Sequence, residues 1–245
     1  TIPSFSWDNQ KPGVYDERKL FRTSSDVFSI QKNNDDYFIK DVSLEEKDAY
    51  LVFPSMVKDA DGSYFSIAGT AKESLHDNLI SSRANSLKGV YFPSLYTTIG
   101  ESSFANMPKL EEVRFGSGEG SQTLQNHAFE NDISLKEISF SKNLVSIGIE
   151  SFKNNTSLLK IDLLSTSLKT LGEGAFNGCS SLNEVYLPSS LTSLPKSLFA
   201  SCSSLKKIHY EGKLTAWANL PKDSSWMQGS SIREIICSDG IHIQE

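Results

Sequence analysis

Leu168-Lys-Thr-Leu171-Gly-Glu-Gly-Ala-Phe176-Asn-Gly-Cys179-Ser-Ser-Leu182-Asn-Glu-Val185-Tyr-Leu187-Pro188 is followed, after Ser189-Ser190, by Leu191-Thr-Ser-Leu194-Pro-Lys-Ser-Leu-Phe199-Ala-Ser-Cys202-Ser-Ser-Leu205-Lys-Lys-Ile208-His-Tyr210. Each apolar position of the first stretch recurs 23 residues later in the second. A fixed period of this size is the signature of stacked repeats, in which one unit cannot bury its own apolar edge and relies on its neighbours. Working outward, the triplet recurs as Leu87/Val90/Phe92, Leu110/Val113/Phe115, Leu135/Ile138/Phe140, Leu158/Ile161/Leu163, Leu182/Val185/Leu187 and Leu205/Ile208/Tyr210. The first leucines are separated by 23, 25, 23, 24 and 23 residues. Phe104, Phe129, Phe152, Phe176 and Phe199 each stand six residues before a triplet, and Ile99-Gly100, Leu124, Ile147-Gly148, Leu171-Gly172 and Leu194-Pro195 stand before those.

The alternation within L-x-x-V-x-L describes a short strand with one face inward, so successive coils are expected to stack these strands in parallel about 4.8 Å apart. The phenylalanine and Ile-Gly stretch would form the opposite wall, with glycine allowing a tight bend or a positive φ. Each buried aliphatic or aromatic side chain contributes about 1.5–3 kcal/mol, enough to offset chain ordering only when neighbours cover both sides of a coil. The fold class implied is an α/β-type repeat solenoid.

The 245 residues carry 30 acidic and 24 basic side chains, a net charge of −6, with no dense basic block. Nucleic acid is thereby disfavoured as a partner, because phosphate binding needs a positive stripe. No apolar run reaches the roughly 18–20 residues of a membrane span, so no direct membrane insertion is expected of this segment. The sequence starts at Thr1 without a methionine or a signal-peptide pattern and reads as a processed or trimmed chain. Three cysteines in a chain of this size do not make a disulfide framework.

Residues 1–63 lack the repeat spelling and read as an N-terminal cap containing a β-hairpin. Residues 1–24 are irregular, with Trp7 expected to pack against the next part of the chain. Val27–Ile30 and Tyr37–Val42 flank the turn residues Asn33-Asn34-Asp35-Asp36, the pattern of a hairpin. Tyr50-Leu-Val-Phe-Pro54 is a further strand signal. Asp59-Ala-Asp61-Gly62 begins like a calcium loop but lacks the later acidic ligands and the closing glutamate, so a plain Asp-Gly turn is the preferred reading. The repeats are expected over 64–237: a degenerate first unit at 64–92 (Ile67, Leu75, Leu79), regular units from about 93 to 210, and an atypical last unit at 211–237. In that last unit Ile232/Ile235/Cys237 spells the triplet once more, before a C-terminal tail at 238–245 with an Asp239-Gly240 turn.

The pattern I-G-x-x-x-F-x-x-C-x-x-L-x-x-V-x-L-P, at a period near 23 and best spelled at 168–190 and 191–213, resembles the BspA-type, or Treponema-type, bacterial leucine-rich repeats. The resemblance is strong over about 87–237 and loose over 50–86, and the tail residues Leu214-Thr-Ala-Trp217 and Ile236-Cys237-Ser-Asp-Gly240 look like the family's closing segment. It implies a right-handed leucine-rich-repeat superhelix with a parallel β-sheet on the concave face, short irregular, 3-10 or helical convex segments, and non-repeat caps at both ends. It also implies a secreted or cell-surface protein of host-associated bacteria, with adhesion to host matrix or to other cells as the expected role. The first 49 residues match no family pattern.

Strand residues beside the inward Val/Ile position face out. One outward column reads Gly89, Glu112, Glu137, Lys160, Glu184, Lys207, Glu234, and from Glu137 onward its alternating sign describes a solvated charge ladder whose pairs each contribute a few tenths of a kcal/mol. The other column reads Tyr91, Arg114, Ser139, Asp162, Tyr186, His209, Ile236. Exposed aromatics and arginine are the usual anchors of protein interfaces, and aromatic faces also stack on sugars. The candidate ligand-binding residues are therefore Tyr91, Arg114, Asp162, Tyr186 and His209, with Trp217 or Trp226 of the closing segment placed near the Tyr186–His209 end.

Cys179 and Cys202 occupy one slot of adjacent coils, the slot held by Asn155, Asp132 and Met107 further back, and read as buried thiols rather than a disulfide or metal site. His76, His127, His209 and His242 share no metal spacing with cysteine or carboxylate, so neither a metal nor another cofactor is expected. Gly116-Ser-Gly118-Glu-Gly120 lacks any phosphate-loop spelling and reads as the loop absorbing the two extra residues of the 25-residue coil; no G-x-S-x-G elbow is present. The expectation is a non-enzymatic, monomeric, extracellular or cell-surface module for protein–protein or host/matrix adhesion. A protein or glycan ligand is expected. A rigid spacer presenting another domain or anchor is the alternative, and a carbohydrate-binding module the more distant one.

Overall fold

The computed structural model describes residues 12–16, 21–23, 28–34, 36–44, 48–58, 63–71, 86–92, 96–116 and 118–243. Trp7, the Asp59–Gly62 turn and the Leu75/Leu79 part of the degenerate unit lie outside the described residues. What remains is a β-solenoid whose walls are parallel sheets. The triplet strands make one wall. Asp48–Val52, Gly89–Phe92, Glu112–Phe115 and Glu137–Ser139 pair side by side, with Leu51, Val90, Val113 and Ile138 in one row. Lys160–Asp162, Glu184–Leu187, Lys207–Tyr210 and Glu234–Cys237 continue the wall, with Ile161, Val185, Ile208 and Ile235 in one row. Between Glu137–Ser139 and Lys160–Asp162 the ladder is interrupted: the first is the end strand of its sheet and the second begins another.

The opposite wall is built of short strands and irregular turns, and among the described residues no helix stands in it. Tyr64–Thr70, Thr98–Ile99, Gln122–Leu124, Leu144–Ile147 and Thr170–Leu171 form a second parallel ladder. The α-helix Leu214–Asn219 lies beyond these strands, in the closing segment. The Ile-Gly spelling has a simple cause. A Cβ on Gly148 would stand 2.6 Å from the Asn126 backbone nitrogen, and one on Gly172 would stand 2.3 Å from the Gly148 carbonyl carbon. These glycines permit close approach of neighbouring coils, and their backbone does not enter the positive-φ region.

Positive φ falls instead on the turns that carry the phenylalanines, in pairs four residues apart: Ser102 and Asn106, His127 and Asn131, Glu150 and Asn154, Gly174 and Gly178, Ser197 and Ser201. The turns form a third ladder. Ser102, Phe104 and Asn106 donate their N–H groups to the carbonyls of Asn126, Ala128 and Glu130, and His127, Phe129 and Asn131 do the same to Ile149, Ser151 and Lys153. The pattern repeats from Glu150, Phe152 and Asn154 onto Glu173, Ala175 and Asn177. The Asn side chains add a ladder of their own, Asn131 Nδ2 to Asn106 Oδ1 at 3.0 Å and Asn154 Nδ2 to Asn131 Oδ1 at 2.9 Å.

This geometry aims each phenylalanine inward. Phe104, Phe129, Phe152, Phe176 and Phe199 are buried and stack in one column, with ring centroids 5.4, 5.4, 5.5 and 5.6 Å apart and interplanar angles of 16° or less. Phe53, Phe92 and Phe115 form a shorter column at 4.8 and 4.9 Å. Beside the long column runs the slot of Asp132, Asn155, Cys179 and Cys202. Asp132 Oδ1 accepts from Met107 N–H at 2.7 Å, Asn155 Oδ1 accepts from Asp132 N–H at 2.9 Å, and the two thiols donate to the carbonyls of Phe152 and Phe176. Each side chain in the slot thus satisfies a backbone group of a neighbouring coil.

At both ends of the stack the pairing turns antiparallel. Phe28–Asn33 and Asp36–Val42 form a hairpin whose second strand joins Tyr64–Thr70 in parallel, and Gly13–Asp16 pairs antiparallel with Asp48–Val52. At the C-terminal end Gly240–Ile243 folds back along Glu234–Cys237 through the Asp239-Gly240 turn. Trp226 packs edge-on against Phe199, Trp217 against both Trp226 and Tyr210, and Lys222 Nζ lies 4.6 Å over the Trp217 ring while bonding the Leu220 carbonyl at 2.8 Å.

Two measurements check this account. Phe152→Ala removes the middle of the ring column and is expected to cost about 3–5 kcal/mol, as for other buried phenylalanines. A loss below about 1 kcal/mol in denaturant unfolding would show that the column contributes no more than the surface. Asp132 is fully buried with Oδ2 unpartnered, and burial pushes its carboxyl well above the usual value of 3.8, the Met107 N–H opposing. The fold thus favours the protonated acid: this contribution is full below the usual carboxylate range and is lost as pH rises through the folded value. Asp132→Asn, which keeps the Oδ1 acceptor, is expected to raise stability by about 1–3 kcal/mol at neutral pH, with the gain shrinking toward pH ~4. Thermal melts of both proteins at the two pH values check it, and a neutral-pH loss in the variant would refute the buried-acid account.

Candidate functional site

The triplet wall carries the two outward columns, and the strand register fixes their neighbours. Tyr91 lies between Val52 and Arg114. It packs with Tyr50 against the buried Val52, which leaves it half-buried. Arg114 is exposed, its Nε 3.2 Å from Glu112 Oε2. Ser139 comes next, and then the interruption of the ladder. Asp162 stands beyond it, its Oδ2 3.3 Å from Lys160 Nζ and its Oδ1 accepting from Leu164 N–H at 3.3 Å. Tyr186 and His209 continue the register. The five sequence candidates therefore share one column but divide between two sheets, Tyr91 and Arg114 on one and Asp162, Tyr186 and His209 on the other.

Tyr186 and His209 are stacked, with ring centroids 4.4 Å apart at 11°. The Tyr186 ring also has Lys160 Nζ 4.5 Å from its centroid. Lys160 and His209 come from the strands on either side of the Tyr186 strand, so the two contacts fall on opposite faces of the ring. Both faces are covered along the column, and what Tyr186 offers to a ligand is its edge and its hydroxyl.

Beyond His209 the wall becomes apolar. Ile236 is the register neighbour of His209, and the returning strand sets Ile241 opposite Ile236 and Ile243 opposite Glu234. Ile241 is 56% exposed and Ile243 61%. The sequence pattern places these residues in a tail. The signal for the strand is the Asp-Gly turn directly after a triplet, which returns an alternating Ile-His-Ile strand to the same surface. Trp217 and Trp226, expected near this end from the sequence, are buried in the core instead, because the closing segment uses them to cover Phe199 and Tyr210.

The charge column is only partly a ladder. Lys207 Nζ and Glu234 Oε2 pair at 2.9 Å, but Lys160 turns along its own strand to Asp162 and over Tyr186, and Glu112 and Glu137 are register neighbours of like sign. Arg114 and the Lys136–Glu111 pair, at 2.8 Å, stand beside those two acids.

Elsewhere, Cys179, Cys202 and Cys237 are buried free thiols. Burial pushes the Cys202 thiol up to about 12 and moves Cys179 the same way, so neither is a nucleophile at neutral pH. The turn ladder does gather one histidine with carboxylates, which the sequence spacing does not suggest. His127 Nδ1 lies 2.8 Å from Glu130 and 3.6 Å from Glu150, and ligand atoms of the three lie within 4.8 Å of one another. Lys153 Nζ sits between the same carboxylates at 2.8 and 3.5 Å, and its bond to Glu150 holds its ammonium above the usual lysine range. With that ammonium in place the four residues form a closed ion-pair network, and a metal ion would have to displace the lysine. Among the described residues no helix is long and apolar enough to cross a membrane.

The family profile described as the BspA type leucine rich repeat region matches residues 51–135 and 97–224, in six copies. Among solved structures the chain is similar to a leucine-rich repeat protein of T. pallidum, with 26% identity and a TM-score of 0.63 over 77% of this chain and 85% of that one. It is also similar to a leucine-rich repeat protein of Bacteroides ovatus, with 20% identity and a TM-score of 0.61 over 84% of this chain. That match spans 56% of the Bacteroides chain. No curated protein matches the sequence.

Proposed function

The chain belongs to the BspA-type leucine-rich repeat family, and on that premise we propose that it is a non-enzymatic module that binds a protein partner through its triplet wall. The observation that carries the reading is the surface running from Tyr186 and His209 to Ile236, Ile241 and Ile243. Aromatic and branched apolar side chains gathered on rigid strands are the composition of an interface centre, and the charges of Lys207 and Glu234 beside them are the composition of a rim. The covered faces of Tyr186 favour a protein over a glycan at this surface: a pyranose stacks on an open ring face, whereas a hydroxyl and a ring edge suit hydrogen bonding and side-chain packing.

We read this wall as the concave face of a right-handed superhelix, with Tyr91 and Arg114 touching the periphery of the same partner. The segment before the repeats and the strand after Asp239-Gly240 act as caps, and the chain works as a monomer. Secretion or display at a cell surface, with adhesion as the outcome, is the role that fits a family with these members. Catalysis is not part of the proposal, since burial raises the Cys179 and Cys202 thiols and the Lys153 ammonium occupies the space between the two carboxylates beside His127.

The test is a binding screen of the purified protein on an array of extracellular-matrix proteins at physiological salt. A partner is expected whose affinity falls at least tenfold in Tyr186→Ala/His209→Ala, and by a similar factor in Ile241→Asp, about 1.4 kcal/mol or more for each. Arg114→Ala, across the interruption, is expected to change it less. Binding that survives both variants unchanged would sink the assignment of this surface, and a blank screen would favour the rigid-spacer reading.

A further inference from the structure

The interruption of the triplet wall is a bounded slot. Leu159 N–H meets the Lys136 carbonyl at 3.4 Å on one side, and Ser167 N–H meets the Lys142 carbonyl at 3.0 Å on the other. Between these ties Glu137–Ser139 and Lys160–Asp162 do not pair. The stretch from Lys136 to Lys142 is shorter than that from Leu159 to Ser167, whose surplus is taken up in the turn where Thr166 N–H and Oγ1 both bond the Leu163 carbonyl. The opposite wall stays closed: Ser146 and Ile147 pair with Thr170 and Leu171, and the Phe152 and Phe176 rings remain stacked. The result is a cavity of about 530 Å³, within the usual range for small-molecule sites.

Its lining has two parts. The floor is apolar. Ile138 and Phe140 are only partly buried, although Val113, Ile161 and Val185 in the Ile138 row, and Phe92, Leu163 and Leu187 in the Phe140 row, are buried. Here alone among these rows the core is open to the surface. The rim is polar and balanced in charge: Lys136 and Lys160 against Glu137 and Asp162, with Ser139 and Ser165 between them. Among the described residues Glu137, Ser139 and Ser165 have no side-chain partner in the protein, so their acceptors and hydroxyls are left to solvent or a ligand.

We propose that this slot binds the terminal residue of a neutral glycan. A sugar ring presents an apolar C–H face and a ring of hydroxyls, each able to donate and accept, which suits an apolar floor under a rim of carboxylates, hydroxyls and ammonium groups. The balanced rim disfavours phosphorylated or acidic ligands. The two backbone ties disfavour a through-running peptide strand, which needs an open edge at both ends. With the charged rim exposed, the affinity belongs in the millimolar to high-micromolar range, so useful binding would come from glycans displayed in many copies. The slot shares Lys160 with the Tyr186 ring and has Asp162 beside that residue, but it takes in none of His209, Ile236, Ile241 and Ile243, so its occupancy is read separately from theirs.

The test is methyl-resolved NMR of the isoleucine-labelled protein, titrated separately with methyl glycosides of the common neutral hexoses and N-acetylhexosamines. One of them is expected to shift the Ile138 δ1-methyl signal saturably while leaving Ile241 and Ile243 in place. Asp162→Ala is expected to weaken that binding about tenfold. Ile241→Asp is expected to leave it unchanged, which separates this slot from the apolar end of the protein-binding surface. Ser139→Phe, which sets a ring across the slot, guards against a misfolded Asp162 variant: it should abolish the shift while the remaining isoleucine methyls keep their positions. Titration without a shift at Ile138, or a shift indifferent to both slot variants, would overturn the proposal. So would preferential binding of an extended peptide at Ile138.

Discussion

The fold depends on main-chain bonds that the turns of one coil make to the turns of the next. From Ser102 to Asn154 every second N–H in the phenylalanine turn finds a carbonyl in the adjoining coil. That alternation demands left-handed backbone at two places per turn, four residues apart. For residues other than glycine such conformations cost about 1–2 kcal/mol each, so they persist because the cross-coil bonds leave no alternative. The same twist points the intervening phenylalanine into the core, where the next ring receives it. Turn geometry, ring column and coil spacing are one constraint seen from three sides.

This constraint explains which parts of the molecule were legible in the sequence. The triplets were, because side-chain alternation in a strand is a two-residue code and burial enforces it at every coil. The buried thiols of Cys179 and Cys202 were too, because a slot shared with Asp132 and Asn155 has to serve any small side chain that bonds a backbone group. The left-handed positions were not: Ser102, His127, Glu150 and Ser197 have no side-chain feature in common, since the backbone ladder sets their conformation. Glycine was expected to mark those bends, and in Gly148 and Gly172 it marks close approach instead. Nor was the interruption after Ser139 readable. Leu135 to Leu158 is a unit of 23 residues between units of 25 and 24, a variation that occurs in the array without saying where a ladder opens, and the opening arises from backbone slack that residue types do not record.

The candidate surfaces show a similar division. Register alone brought Tyr186 and His209 together, and the structure adds that Lys160 closes the far face of the tyrosine. Charge alternation did less than its spelling suggested, because a long lysine chooses among several acceptors and Asp162 on its own strand is as near as a neighbour across the sheet. The apolar end at Ile241 and Ile243 belongs to a strand that returns upon the last triplet, a tertiary event with only the Asp239-Gly240 turn to announce it.

The turn ladder has an implication for how such a chain changes over generations. Its bonds join main chain to main chain in the same pattern at each step, so a duplicated or deleted coil meets a surface it already fits. Array length is therefore open to change at little structural penalty. The outward positions are not so free. A coil inserted between Glu184–Leu187 and Lys207–Tyr210 would part the Tyr186 and His209 rings, and one inserted between Glu137–Ser139 and Lys160–Asp162 would move the two lips of the slot apart. Growth by whole coils is compatible with a retained ligand only where it spares those two junctions, and the number of repeats in a relative is a poor guide to what that relative binds.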